Sequence, residues 1–272
     1  MKMPSDRQLL FNHIPKTGGV TLRIILNRIY GEGNIFLIKS TDIGSSLRQF
    51  NLLSRTGRDQ YKAVAGHGAE MLGHLLDNPF RITILREPVS LFLSQFYYLK
   101  NTRDAGFYDE LREMESLEEY LDFAITKGQD NLLTRYLSNS VQFLADPSIS
   151  IPGMRNEGDI LLERAVTALH MYDAVIDLAD FDAGVFSLAA KLGWKRIPLY
   201  RPSNRNRKNP GIASVRDSAI NRIEEALKWD ISLYKEFRKD RLAEGTDINR
   251  SSIKFKLFKL RQKGIYYLAR LL

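Results

Sequence analysis

The chain has no cysteine. Disulfides, a thiolate nucleophile and cysteine-based metal sites are thereby excluded, and nothing suggests a secreted disulfide scaffold. Long apolar runs are missing too. No stretch reaches the roughly 18 residues that a membrane-spanning helix needs, and the run before His13 in MKMPSDRQLLFNHIPK is too short for a signal peptide. A cytoplasmic location is the resulting expectation. With no internal repeat and no low-complexity linker, one domain with loop insertions is expected over 1–250, followed by a basic amphipathic tail over 251–272. Acid is the scarcer charge: 32 Asp and Glu stand against 40 Lys and Arg. The net charge of +8 favours anionic partners, whether a nucleotide, a sulfated or acidic glycan, nucleic acid or a membrane surface.

What is present suits a folded α/β domain. A 44% hydrophobic and 26% charged composition excludes wholesale disorder. QLLFNHI (Gln8 to Ile14) is a short apolar run ending at Pro15 and a glycine pair, the pattern of a buried strand. VTLRIILNRIYG is apolar nearly all round until Gly31 and predicts a buried helix. YKAVAGH (Tyr61 to His67), FRITILREP (Phe80 to Pro88) and DAVIDLAD (Asp173 to Asp180) repeat the strand pattern, the first two ending in polar or turn residues. VSLFLSQFYYLKN and SLEEYLDFAITKG predict helices, the second opened by a Ser-x-x-Glu capping box and closed by Gly128. A basic, turn-rich loop, RPSNRNRKNPG (Arg201 to Gly211), precedes a helix from about Ser214 to Lys228. The alternation predicts a central, mainly parallel sheet flanked by helices, with ligands outside the carboxyl ends of the strands.

The stretch FNHIPKTGGVTL (Phe11 to Leu22) carries the clearest chemistry. Gly18 and Gly19 let backbone amides converge on an anion at the start of a helix, where the peptide dipoles add positive partial charge. Lys16 supplies a mobile cation, and Thr17 and Thr21 supply hydroxyls. In the NTPase P-loop the lysine follows the glycines; here it precedes them, which separates the two motifs.

HIPKTGGVTL resembles the 5′-phosphosulfate loop of sulfotransferases that use 3′-phosphoadenosine-5′-phosphosulfate, within the carbohydrate branch that contains the heparan sulfate 2-O- and 6-O-sulfotransferases. The resemblance implies a P-loop-NTPase-like sulfotransferase fold, with Lys16, Thr17, Gly18, Gly19, Val20 and Thr21 holding the donor. ILREPVSLFLSQFYYLKN is similar to the branch's 3′-phosphate motif, which puts Arg86 and Ser94 on the nucleotide; Leu91 stands where a second cation is common. AVAGHGAEML resembles the strand-end segment whose histidine is the catalytic base, here His67. An imidazole suits that task because its ordinary pKa of about 6.5 lies near operating pH. His13 competes for the role, but its place at the end of a buried strand favours packing.

Three further segments extend the resemblance to about Phe237. DNLLTRYLSN (Asp130 to Asn139) is similar to a segment lining the active-site cleft, which implies Arg135 facing an acidic acceptor or the cofactor, with the acceptor preferred. SNRNRKNPG resembles the basic loop over the 3′-phosphate, with Arg205, Arg207 and Lys208 as its contacts. ALKWDISLYKEF is similar to a closing segment whose Trp229 and Tyr234 read as packing residues. The implied reaction is in-line sulfuryl transfer to an acceptor hydroxyl, on a carbohydrate, leaving adenosine 3′,5′-bisphosphate. No metal is expected, since the four histidines lack carboxylates at ligand spacing. Two alternatives stand beside this reading: a nucleotide kinase or other NTPase on a related sheet, and a non-catalytic binder of an acidic glycan. Nucleic acid ranks low, because no stacked-aromatic or helix-turn-helix pattern is present. The tail, SSIKFKLFKLRQKGIYYLARLL, interleaves lysines with large apolar residues, so it is expected to pack on the domain or a partner subunit, or to lie peripherally on a membrane.

Overall fold

The computed structural model describes residues 6–103, 107–201, 215–243 and 252–271, the side chains of 241–243 and 265–271 excepted. Strand β1 (Leu9–Asn12) leads through the turn at Pro15 to helix α1 (Gly19–Tyr30), and Gly31 ends the helix at a positive φ of 84°. Strand β2 (Ile35–Ile38) and helices α2 (Ile43–Leu52) and α3 (Arg55–Asp59) follow, then strands β3 (Ala63–Gly66) and β4 (Phe80–Leu85). Helices α4 (Pro88–Asn101), α5 (Tyr108–Leu111), α6 (Leu117–Thr126), α7 (Leu132–Leu137) and α8 (Met154–Leu169) separate β4 from β5 (Ala174–Asp177). After it come α9 (Phe181–Lys191), α10 (Asp217–Ala226), α11 (Lys228–Ala243) and α12 (Ile253–Leu271).

The five strands form one sheet in the order β2-β3-β1-β4-β5, with every neighbouring pair parallel. Parallel pairing needs crossovers, and the helices between strands supply them. β1 lies between β3 and β4, in register Leu10 with Val64 and with Arg81. All four of its residues are buried, as a strand covered on both faces requires. Leu9 and Phe11 point to a core shared with Leu22, Ile25 and Leu26 of α1 and Val185 and Leu188 of α9, whereas Leu10 points to one with Phe36, Phe50 and Leu72. That alternation is the two-residue period of a strand. Because the strands run the same way, Asn12, Gly66, Leu85 and Asp177 all end at one edge, and the loops after them gather there.

Four of the strands fall inside the runs expected from sequence, and β2 is additional. IFLI (Ile35–Ile38) is short, lies at the sheet's edge and turns Leu37 to solvent, so it shows neither a long apolar run nor a clean alternation. Helix α6 starts as expected: Ser116 Oγ accepts from the Glu119 amide at 3.1 Å. The Glu119 carboxylate, however, accepts from the Glu115 amide at 3.2 Å, one residue before the cap. The tail is helical, and Phe255 and Phe258 join the core of the sheet face covered by α9.

Candidate active site

The turn after β1 is built to present amides. Lys16 and Gly18 both take positive φ, 62° and 91°, which turns the chain sharply before α1 begins. The Thr17 hydroxyl is buried and donates to the Ile14 carbonyl at 2.8 Å. Its proton is thus spent on bracing the turn, so Thr17 offers a ligand its backbone rather than the hydroxyl donor expected from sequence. Thr21 N closes onto the Gly18 carbonyl at 3.0 Å. The amides of Gly18, Gly19 and Val20 find no acceptor among the described residues, as the first turn of a helix leaves them. A Cβ at Gly19 would run into the His13 ring, and one at Gly18 would lie 2.7 Å from Leu178 Cδ1. The glycines therefore serve close packing as well as the turn.

Lys16 places its ammonium 3.7 Å from the centroid of the Tyr98 ring. Burial and the neighbouring Arg86 guanidinium lower its pKa to about 8. No carboxylate pairs with it among the described residues. A desolvated cation without a counter-ion, beside unspent amides, is a site that gains from an incoming anion. Tyr98 sits one helical turn beyond Ser94 on α4. No motif pointed to it, since an aromatic in FYYLKN reads as core.

Arg86 leaves β4 at the same edge and donates from Nη1 to the Lys16 carbonyl at 3.0 Å, tying the turn to β4. Its remaining donors have no partner among the described residues. Burial lowers its pKa. Glu87 caps α4, accepting from the Val89 amide at 3.0 Å and the Ser90 amide at 2.7 Å, with Pro88 at the first helical position. Ser94 is buried two turns along that helix, without a hydrogen-bond partner among the described residues. Leu91 packs with Ile14, Leu85, Leu132 and Leu133 at 2% exposure, so a cation at that position would be stranded in apolar surroundings.

His67 follows β3 and donates from Nδ1 to the His13 carbonyl at 2.7 Å. A carbonyl can only accept, so the neutral ring is the tautomer whose basic nitrogen is Nε2. The His13 ring stacks on it with centroids 4.5 Å apart and planes 27° apart, and Tyr136 meets it edge-on at 6.2 Å. Burial lowers the pKa of both histidines, well below the ordinary value in His13, where the His67 charge adds to the effect. The geometry supports a packing role for His13: its ring fills the space above Gly19 and its carbonyl orients His67.

Arg135 is a correction to the sequence reading. It is 1% exposed, its guanidinium donates to the Asp130 carboxylate at 2.7 Å and to the Pro152 carbonyl at 2.8 Å, and it holds the interior together rather than facing an acceptor. Its neighbour Tyr136 is the residue of that segment that reaches His67. Arg135→Ala leaves Asp130 buried without its partner, and we expect a loss of about 3 kcal/mol of stability, read as a lower urea midpoint. An acceptor-binding role would instead raise KM at an unchanged midpoint. Arg205, Arg207 and Lys208 lie outside the described residues. Trp229 packs as expected, with Nε1 donating to Asp159 at 2.9 Å. Tyr234 packs too, against the cluster that holds Leu233 and Phe237, and its hydroxyl donates to Asp177 at the end of β5, at 3.1 Å, where Arg238 joins it at 2.6 Å, fixing α11 to that edge.

Lys16, the amides of Gly18 to Val20, Arg86 and His67 thus converge on one edge of the sheet, with Ser94 on the helix that carries Tyr98. Among curated proteins no relative matches the chain. Among solved structures, mouse sulfotransferase SULT7A1 complexed with PAP is similar at 18% identity and a TM-score of 0.40, over 82% of this chain and 64% of that one, so this chain spans less than two thirds of that protein's length. The model of the sulfotransferase family matches residues 1–235, a span that contains every residue of this edge, and the chain belongs to that family.

Proposed function

We propose that the chain transfers a sulfuryl group from 3′-phosphoadenosine-5′-phosphosulfate to an acceptor hydroxyl on a carbohydrate. The observation that carries this reading is the Lys16 ammonium, unpaired among the described residues, beside the amides of Gly18, Gly19 and Val20, which find no acceptor among them, with the further donors of Arg86 tied to the same turn. The residues present fit the donor: Lys16 and the turn amides suit its phosphosulfate end, and Arg86 with Ser94 suits its 3′-phosphate. When bound, the donor supplies the sulfuryl group and departs as adenosine 3′,5′-bisphosphate.

The chain's own part is positioning and charge. Lys16 and the amides stabilise the negative charge that spreads over the oxygens during transfer, and being pre-oriented by the turn they need no rearrangement at that moment. His67 Nε2 takes the acceptor hydroxyl's proton as its oxygen attacks, while the His13 carbonyl holds Nδ1–H and steadies the imidazolium that forms. Burial of His67 keeps it neutral, and so competent as a base, down to lower pH than a free imidazole.

The decisive experiment incubates the purified chain with donor carrying labelled sulfate and a panel of glycans, lipids and small alcohols. Transfer of label to a glycan, with release of adenosine 3′,5′-bisphosphate, is the expected result. Tighter binding of ATP with magnesium than of adenosine 3′,5′-bisphosphate would sink the reading and favour a kinase.

A further inference from the structure

Helix α12 has two faces with different work to do. One is settled by packing: Phe255 and Phe258 lie against Phe186 of α9, the Lys259 ammonium pairs with Asp182, and buried Gln262 accepts from the Tyr200 amide. These contacts fix the rotation of the helix about its axis. They leave Ile253, Leu257 and Leu260 facing away at 75%, 52% and 63% exposure. The spacing of four and then three residues makes them a single stripe along the helix. By the same helical geometry, exposed Lys254 and Arg261 border the stripe on one side and exposed Lys256 and Lys263 on the other. From 251 to 272 there is no acidic residue.

We propose that α12 seats the domain on an anionic lipid bilayer, lying in the plane of the surface. An aliphatic stripe bordered on both sides by cations matches a lipid surface layer by layer: Ile253, Leu257 and Leu260 enter the acyl boundary while the lysine and arginine heads stay at the level of the anionic headgroups. An acidic glycan would satisfy the cations but give the aliphatic side chains nothing apolar to enter. A second copy docked by the same face would bring two sets of four cations together, which self-association about a two-fold axis does not tolerate without acid to offset them. The proposal does not depend on the reaction assigned to the strand-end site.

Flotation of the full chain with vesicles tests it. The chain floats with vesicles of mixed phosphatidylcholine and phosphatidylglycerol and stays behind with phosphatidylcholine alone. The combined Ile253→Ser, Leu257→Ser and Leu260→Ser variant keeps the wild-type melting temperature, because those side chains touch little of the domain, and its partitioning onto the anionic vesicles falls about tenfold. A second variant, Lys254→Gln with Lys256→Gln, Arg261→Gln and Lys263→Gln, loses binding to a similar degree. Failure of the wild type to float with anionic vesicles overturns the proposal. So does a serine variant that floats as well as the wild type, which would mean charge adsorption alone. A wild-type dimer that the serine changes convert to monomer would assign the stripe to a second copy, and retention on a sulfated polysaccharide that the serine variant loses would assign it to a glycan.

Discussion

Lys16→Ala lowers turnover about a thousandfold, the upper range for loss of one pre-oriented charge-stabilising group, while the thermal midpoint changes little. The fold survives because Lys16 makes no ion pair among the described residues, and alanine accepts the positive φ no worse than lysine does. Removing the ammonium even relieves a desolvated cation beside Arg86. What is lost is a mobile positive charge at the turn. Lys16→Arg recovers little, since a second planar guanidinium next to Arg86 cannot reproduce a compact ammonium over Tyr98. Steady-state kinetics with saturating acceptor check the split: kcat falls with only a modest change in affinity for adenosine 3′,5′-bisphosphate. A variant with normal kcat and weakened nucleotide binding would place Lys16 in ground-state binding instead.

His67→Ala also costs about a thousandfold, within the span for a positioned general base, and its signature lies in the pH profile. Burial lowers the His67 pKa, so the wild-type kcat/KM rises with pH through a value below the free-imidazole range of about 6.5 and is level above it. On the alkaline side Lys16 loses its proton at about 8, and kcat/KM falls as pH rises through that value, because the cation that stabilises charge during the transfer disappears. A bell results, with the histidine on its acid limb and the lysine on its alkaline one. His67→Ala removes the acid limb and leaves the alkaline limb; Lys16→Ala does the reverse. If folded His67→Ala enzyme transfers sulfate at a near-normal rate, His67 is not the base.

Much of the site could be read from adjacency alone. The turn from Pro15 to Thr21 is one contiguous stretch, and its lysine, glycines and following helix act through the backbone they share, so linear order is nearly the geometry. Arg86, Glu87 and Pro88 are legible for the same reason: the strand ends, the carboxylate caps the helix, and the proline occupies its first position. β1, β3 and β4 announced themselves as short apolar runs, because a parallel strand buried on both faces has little room for polar residues, and β5, partly exposed at the sheet's edge, showed a run of the same kind.

Side-chain direction across distant elements was decided elsewhere. Arg135 and Tyr136 are neighbours in sequence, yet one turns to Asp130 and the other to His67, and only the packing of α7 against its surroundings makes that choice. Tyr98 meets Lys16, and His13 meets both His67 and Gly19, through contacts made when β1, β3 and α4 assemble. The tail shows the division most plainly. Its alternation of lysines and apolar residues marked a basic amphipathic tail, but once the tail is helical that pattern holds two apolar sets, Phe255 with Phe258 and Ile253 with Leu257 and Leu260. Which set is core depends on the surface offered by α9, because burial is a property of the partner surface as well as of the side chain.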